Sequence, residues 1–304
     1  MRLWIDTDIG SDVDDALTLA YAIRHPGIEL VGVSTVFGDV ALRTRIAHEL
    51  LARADAPEVP VVTGLGAPLT FGRKGRMFGH EGLGLFDDPA PEPTAEYDSH
   101  ADTRIEALAA AIESARPDAL LSIGPMTNLG ALARAGHPLP PLTIMGGKVA
   151  DVEIPGTIPQ IPEWNWWCDP HAVASVLDAG ADTPPRVIPI EVTMRTVLPE
   201  AEWRRLAGGD PLAQALAVLC GEWMTALRDR LGSENPAVHL HDPLAAMTLV
   251  EPAVCRFGAQ RIRIDDAAVT HSGVDGGAEV EVAEDVDVPR LCAHLMDTWM
   301  GAGT

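Results

Sequence analysis

The first 36 residues constrain the fold more than any other stretch. An apolar run (Leu3, Trp4, Ile5) meets an acidic segment, a helical apolar pattern runs from Ala16 to Arg24, and a second apolar run covers Leu30 to Val36. This is a βαβ opening, which joins parallel strands through a helix lying on one face of their sheet. The alternation continues with a helix over 42–54, a strand at Val61–Thr63, a helix over 104–115, and strands at Leu120–Ile123 and Leu142–Met145. Asp169-Pro170 and Asp242-Pro243 each set an Asp N-cap before a proline, predicting helix starts near 170 and 243. From Arg261 onward two alternating segments flank Ser272–Gly277 as a hairpin, and a helix follows over 288–300. Two long Gly/Pro-rich loops, 64–98 and 147–164, interrupt the pattern, and loops of that length in a compact domain usually carry function. No linker, repeat or low-complexity tract divides residues 1–304. The expectation is one α/β domain with a central, mostly parallel sheet flanked by helices and its active site at the carboxyl ends of the strands.

Composition narrows the function. The chain is 47% hydrophobic and 22% charged, which excludes intrinsic disorder. It carries 44 acidic against 22 basic residues, a formal charge of -22 that opposes a polyphosphate partner and excludes nucleic acid. Cys168, Cys220, Cys255 and Cys292 form no CxxC pair and read as reduced thiols. A carboxylate at Asp6 interrupts any signal-peptide apolar run, and no stretch offers 18 uncharged apolar residues, so a cytoplasmic protein without a membrane partner is expected.

Residues 6–15 read Asp-Thr-Asp-Ile-Gly-Ser-Asp-Val-Asp-Asp, five carboxylates in ten residues at the end of the first strand. Two such charges 4 Å apart repel by roughly 4 kcal/mol at an effective dielectric of 20, so the cluster needs a cation, shared protons or wide exposure to water. Helix capping explains one or two of the aspartates but not five. A hard divalent ion is the simplest compensation, and oxygen ligands suit calcium or magnesium. The glycine spacing excludes an EF-hand, because Ser11 stands where the invariant glycine belongs.

Asp6-Thr7-Asp8-Ile9-Gly10-Ser11-Asp12-Val13-Asp14-Asp15-Ala16 resembles the Asp-x-Asp-x-Gly…Asp-Asp-Ala motif of the inosine-uridine preferring nucleoside hydrolases, calcium-dependent N-ribohydrolases, with two additional residues before the Asp pair. Gly124-Pro125-Met126-Thr127-Asn128-Leu129 is similar to that family's Gly-Pro-Leu-Thr-Asn-Ile turn, and Met145-Gly146-Gly147 to its Met-Gly-Gly. Pro162-Glu163-Trp164-Asn165 with Asp169-Pro170 resembles its Ala-Glu-Phe-Asn…Asp-Pro, and His241-Asp242-Pro243 its His-Asp-Pro. In order, these motifs span about four fifths of the chain.

The resemblance implies Ca²⁺ held by Asp8, Asp15, the Thr127 carbonyl and Asp242, an attacking water also bound to that ion, and Asp8 as general base. It implies a small nucleoside as substrate and a homo-oligomer. Asp14, Glu163 and Asn165 would meet the ribose hydroxyls. His241 is the natural acid for the leaving base, because an ordinary histidine titrates near neutrality. His239 alternates with it, and only one of the two need be catalytic. Trp164, Trp166 and Trp167 read as core packing rather than base platforms. The chain departs from the family at Asp39 and Thr157, where Asn is usual, and at Phe78-Gly79-His80-Glu81-Gly82-Leu83-Gly84, where a His-Gly-x-Asn-Gly-Leu-Gly segment is usual. Asp39, His80 and Thr157 are therefore expected around the substrate. Two alternatives remain at this stage: a haloacid-dehalogenase-like phosphatase with Asp6 as nucleophile, and a non-catalytic calcium-dependent sugar-binding protein.

Overall fold

The computed structural model describes residues 1–86, 101–157, 160–180 and 183–301. The end of the 64–98 loop and residues 158–159 of the second loop lie outside the described residues. The strands are β1 (Arg2–Thr7), β2 (Glu29–Thr35), β3 (Val61–Thr63), β4 (Ala119–Ser122), β5 (Leu142–Met145), β6 (Arg186–Ile188), β7 (Val197–Leu198), β8 (Val238–His239), β9 (Cys255–Ile264), β10 (Thr270–Ser272) and β11 (Ala278–Val286). The α-helices are α1 (Asp14–Arg24), α2 (Val40–Arg53), α3 (Ala101–Ala115), α4 (Thr127–Arg134), α5 (Trp164–Cys168), α6 (Pro170–Asp178), α7 (Ile190–Thr193), α8 (Glu200–Trp203), α9 (Pro211–Asp229), α10 (His241–Val250) and α11 (Val288–Trp299).

Nine strands form one sheet in the order β10-β9-β11-β6-β5-β4-β1-β2-β3, and β7 pairs with β8 in a separate antiparallel ribbon. Strands β1 to β6 run parallel to their neighbours and β11 runs parallel to β6, while β9 pairs antiparallel with both β11 and β10 at the edge. Side-chain alternation explains why helices cover both faces. Leu3 and Ile5 of β1 point into a core shared with α1, α2, α9, α10 and α11, whereas Trp4 points into the opposite core with α3, α4 and α6. Gly32 on β2 makes room for Trp4, because a Cβ there would lie 2.1 Å from its ring.

Helix starts follow their caps. Asp169 accepts the Ala172 amide ahead of Pro170, as expected, and Asp210 and Asp287 cap α9 and α11 in the same way. The expected start at 243 is corrected: α10 begins at His241, and Asp242 lies in its first turn instead of capping it. The late hairpin is larger than expected, since β9 starts at Cys255 and pairs with both β10 and β11. The order β3-β2-β1-β4-β5-β6 reverses direction between β1 and β4, and in open α/β sheets the crevice at such a reversal, beyond the carboxyl ends of the strands, is where ligands bind.

Candidate active site

The acidic loop occupies that crevice. The chain leaves β1 at Thr7, turns at Gly10 with φ +115°, a conformation that favours glycine, and enters α1 at Asp14. The turn after β4 closes on it so tightly that a Cβ at Gly124 would lie 2.8 Å from the Asp8 amide nitrogen. Asn128 locks this arrangement, donating to Asp6 at 2.7 Å and to the Thr35 carbonyl at 3.2 Å while accepting the Leu65 amide at 2.8 Å.

Asp14, Asp15 and Asp242 converge, each offering a carboxylate oxygen within 4.8 Å of the others, and all three are buried. The Thr7 hydroxyl donates to Asp15, and the Asp242 amide donates to Asp14 at 3.2 Å. Burial, reinforced by neighbouring aspartate charges, pushes all three carboxyls well above the usual range. Asp8 and Asp12 add to this repulsion, and both are raised chiefly by burial, Asp12 to about 7. An all-oxygen, charge-frustrated, buried group of this kind fits a hard divalent cation.

Asp8 faces a residue that sequence reading missed. Arg43 of α2 is wholly buried, and its Nη2 stands 3.7 Å from the Asp8 carboxylate. Its guanidinium also donates to the main-chain carbonyls of Phe37 (2.6 Å), Asp8 and Ile9 (3.0 Å) and to the Ser11 hydroxyl (3.0 Å). A readable signal existed, because Arg43 falls on the same stripe as buried Leu42, Ile46, Ala47 and Leu50.

Other expected site residues carry structural bonds. Thr127 is buried at the start of α4 and donates to Asp169 at 2.7 Å. Glu163 caps α5, accepting the amides of Asn165, Trp166 and Gly147, while burial pushes it up to about 7. Asn165 donates to the carbonyls of Ile123 and Met145 at the ends of β4 and β5. Asp39 caps α2 through the Leu42 amide, and the Thr157 hydroxyl closes its own turn on Ile154. Neither is drawn into the carboxylate group. His80 bonds the Ser11 carbonyl at 2.6 Å and stacks on Trp223, while Glu81 gathers the amides of Phe78, Gly79 and His80, so this loop is docked on Gly10–Asp12.

The Nδ1 of His241 meets the Thr193 hydroxyl at 2.7 Å, and its ring stacks on His239 with centroids 5.2 Å apart. Burial, with a smaller contribution from His239, lowers His241 to about 3, so the expected titration near neutrality does not hold. Trp166 is core, as expected, and packs under Gly146 and Gly147. Trp164 and Trp167 are only half-buried and form an aromatic wall with Phe37 and Phe78. Asp6 corrects the phosphatase alternative. It is fully buried, held by Ser34 and Asn128, and raised to about 7 by desolvation, with no path to a substrate.

Residues 3–293 match the model of the inosine-uridine preferring nucleoside hydrolase family. The chain belongs to this family. It is a hydrolase acting on the N-glycosidic bond of ribonucleosides. Among curated relatives, it is 27% identical to a probable uridine nucleosidase 1 of Oryza sativa, covering 98% of this chain and 96% of that one. It is 28% identical to the pyrimidine-specific ribonucleoside hydrolase RihA of Salmonella enteritidis, covering 82% and 79%. Among solved structures, a plant nucleoside hydrolase superposes with a TM-score of 0.79 at 22% identity over 98% of each chain. A purine-preferring ribonucleoside hydrolase from Gardnerella vaginalis gives 0.74 at 24% identity over 99% and 98%. These two likenesses establish the shared fold.

Proposed function

We propose that this nucleoside hydrolase uses one Ca²⁺, held by Asp8, Asp15, Asp242 and the main-chain carbonyl of Thr127, and that uridine is its first substrate to test. The observation that carries this reading is the buried convergence of the Asp14, Asp15 and Asp242 oxygens. The donor set contains neither sulfur nor imidazole, which favours a hard cation over zinc. When bound, the ion neutralises the carboxylates and supplies a Lewis-acidic anchor for water and sugar hydroxyls.

Asp8 is the base in this scheme, taking the proton of the attacking water from a position steadied by Arg43. Asp14, fixed by the Asp242 amide, receives a ribose hydroxyl. Glu163 and Asn165, immobilised by main-chain bonds, orient the ring, and the surrounding carboxylates favour positive charge at the anomeric carbon. Asp39, His80 and Thr157 shape the pocket walls from within their own turns. The Thr193 hydroxyl, 2.7 Å from Nδ1, orients the ring, and a neutral His241 in the tautomer protonated on Nε2 presents that N–H to the leaving base. Uridine is supported by the likeness to the rice relative, a probable uridine nucleosidase, and to the pyrimidine-specific hydrolase of Salmonella. We further place the protein in the cytoplasm as a homo-oligomer; its four free cysteines suit a reducing compartment. Among the described residues no helix is long and apolar enough to cross a membrane.

Metal analysis joined to a reducing-sugar assay on a nucleoside panel tests this reading. Active protein should carry about one Ca²⁺ per chain, lose turnover on chelation, and be inactivated by Asp8→Asn with its fold retained. Active protein free of divalent ions would sink the proposal.

A further inference from the structure

A cavity with a volume of about 500 Å³ is lined by Phe37, Arg73, Lys74, Arg76, Trp167 and Cys168, among others. That is the size of a small-molecule pocket, commonly roughly 300–1,000 Å³. Its lining inverts the character of the chain, which has a net charge of -22 and only two lysines, yet places three cations within residues 73–76. None of the three has a carboxylate ion-pair partner among the described residues. The Arg73 guanidinium lies over the Trp167 ring at 4.6 Å, and its Nη1 is buried with no hydrogen-bond partner among the described residues. An arginine stacked and pre-oriented in this way presents its fork to a planar or tetrahedral anion.

The turn at Gly38 and helix α5 connect the cavity to the crevice. Phe37 directly precedes Gly38-Asp39, and a Cβ at Gly75 would lie 2.5 Å from the Gly38 amide nitrogen, so the basic loop is packed on that turn. Glu163 and Asn165 stand at the start of α5 on the crevice side, and Trp167 and Cys168 end the same helix on the cavity side. The buried Cys168 thiol feels Asp8 and Glu163 on one hand and Arg73 on the other, which sets it between the two sites.

We infer that this cavity receives a phosphate carried on the substrate's ribose, so that a nucleoside 5′-monophosphate is a better substrate than the nucleoside. The inference rests on the proposed function for the orientation of the sugar. If the 2′- and 3′-hydroxyls face the carboxylate group and the base leaves from C1′, the 5′-hydroxyl is the one free to carry phosphate. Thr157 is consistent with this, because its hydroxyl is committed to the Ile154 carbonyl instead of a 5′-hydroxyl. Cleavage is the ordinary balanced hydrolysis: water adds at C1′, the C1′–N bond breaks, and the base leaves with a proton to give ribose 5-phosphate.

The test compares kcat/KM for uridine 5′-monophosphate and uridine in wild type, Arg73→Ala, Arg73→Gln and Lys74→Ala. Isothermal titration with ribose 5-phosphate and with ribose gives a readout independent of turnover. Wild type should prefer the monophosphate by about 10- to 100-fold, the worth of one or two charge-assisted hydrogen bonds. The Arg73 variants should lose that preference while uridine turnover stays within about twofold. Ribose 5-phosphate binding no tighter than ribose overturns the inference. So does stimulation of uridine hydrolysis by inorganic phosphate with the monophosphate left uncleaved, which would mark the cavity as a site for the free ion. If nothing on the panel is hydrolysed, the catalytic reading fails while the titration still decides the phosphate site.

Discussion

Asp6 is a buried acid whose proton has measurable consequences. Its carboxyl, raised from 3.8 to about 7 by desolvation, binds a proton in the native state that the unfolded chain releases near pH 4. For an acid raised on folding, stability is intact below pH 4 and is lost as pH rises from about 4 to 7. Asp6→Asn mimics the protonated form, so urea unfolding should show equal stability at pH 4 and a variant more stable than wild type at pH 8, by up to roughly 4 kcal/mol. Equal pH dependence in the two proteins would count against this assignment. Arg43 has the opposite character, a buried cation with four N–H groups hydrogen-bonded and Nη2 3.7 Å from the Asp8 carboxylate. Arg43→Met orphans the carbonyls it serves and strips Asp8 of its counter-charge, and should destabilise by about 3–5 kcal/mol in the same assay. For His241, Ala substitution should lower kcat on uridine by about 10²–10³ and barely affect p-nitrophenyl riboside, whose leaving group needs no hydrogen bond. Equal losses on both would remove His241 from the leaving-group role.

Helices α4 and α6 pack through Gly130, where a Cβ would come within 2.6 Å of Ala172 Cα and Cβ. A glycine inside a helix ordinarily gains roughly 0.5–1 kcal/mol on replacement by alanine. Here the obstructing atoms belong to a neighbouring backbone that cannot swing away, so Gly130→Ala should instead destabilise by about 1–3 kcal/mol. Gly221 of α9 is the control, since nothing lies within 4 Å of the same methyl, and Gly221→Ala should stabilise. Opposite signs in paired denaturant melts are the expected result; matching signs would show that the α4–α6 contact yields. α9, the longest helix among the described residues, was not expected from sequence, although Asp210-Pro211 carries the Asp-Pro signature that marked α6. Its period was obscured by a largely apolar sequence, in which the stripe stands out less.

At the scale of the whole molecule, the loop after β1 and the first turn of α10 meet although their carboxylates are 227 positions apart, Asp15 to Asp242. A cation bridging them binds only the folded chain. Calcium at 100 times its dissociation constant should therefore raise stability by about 2.7 kcal/mol, seen as a higher melting temperature in calcium than in chelator. Asp242→Asn should shrink that shift, and a melting temperature indifferent to calcium in wild type would contradict the metal site.

Much of this was legible in the chain itself. The βαβ alternation depends on local hydrophobic periodicity, which survives without knowledge of partners, so strand and helix identities emerged within a few residues. The five clustered aspartates announced a charge problem because their repulsion is fixed by proximity in sequence. Tertiary structure alone decided the rest. It set Asp14 with Asp15 and Asp242 while sending Asp6 into the sheet beside Ser34 and Asn128, and it buried Arg43 under the loop. It also took His241 far from neutrality and left the Nη1 of Arg73, beside Trp167, without a hydrogen-bond partner among the described residues. Those outcomes depend on desolvation and on contacts between distant segments, and neither quantity exists until the sheet has closed and its crevice has formed.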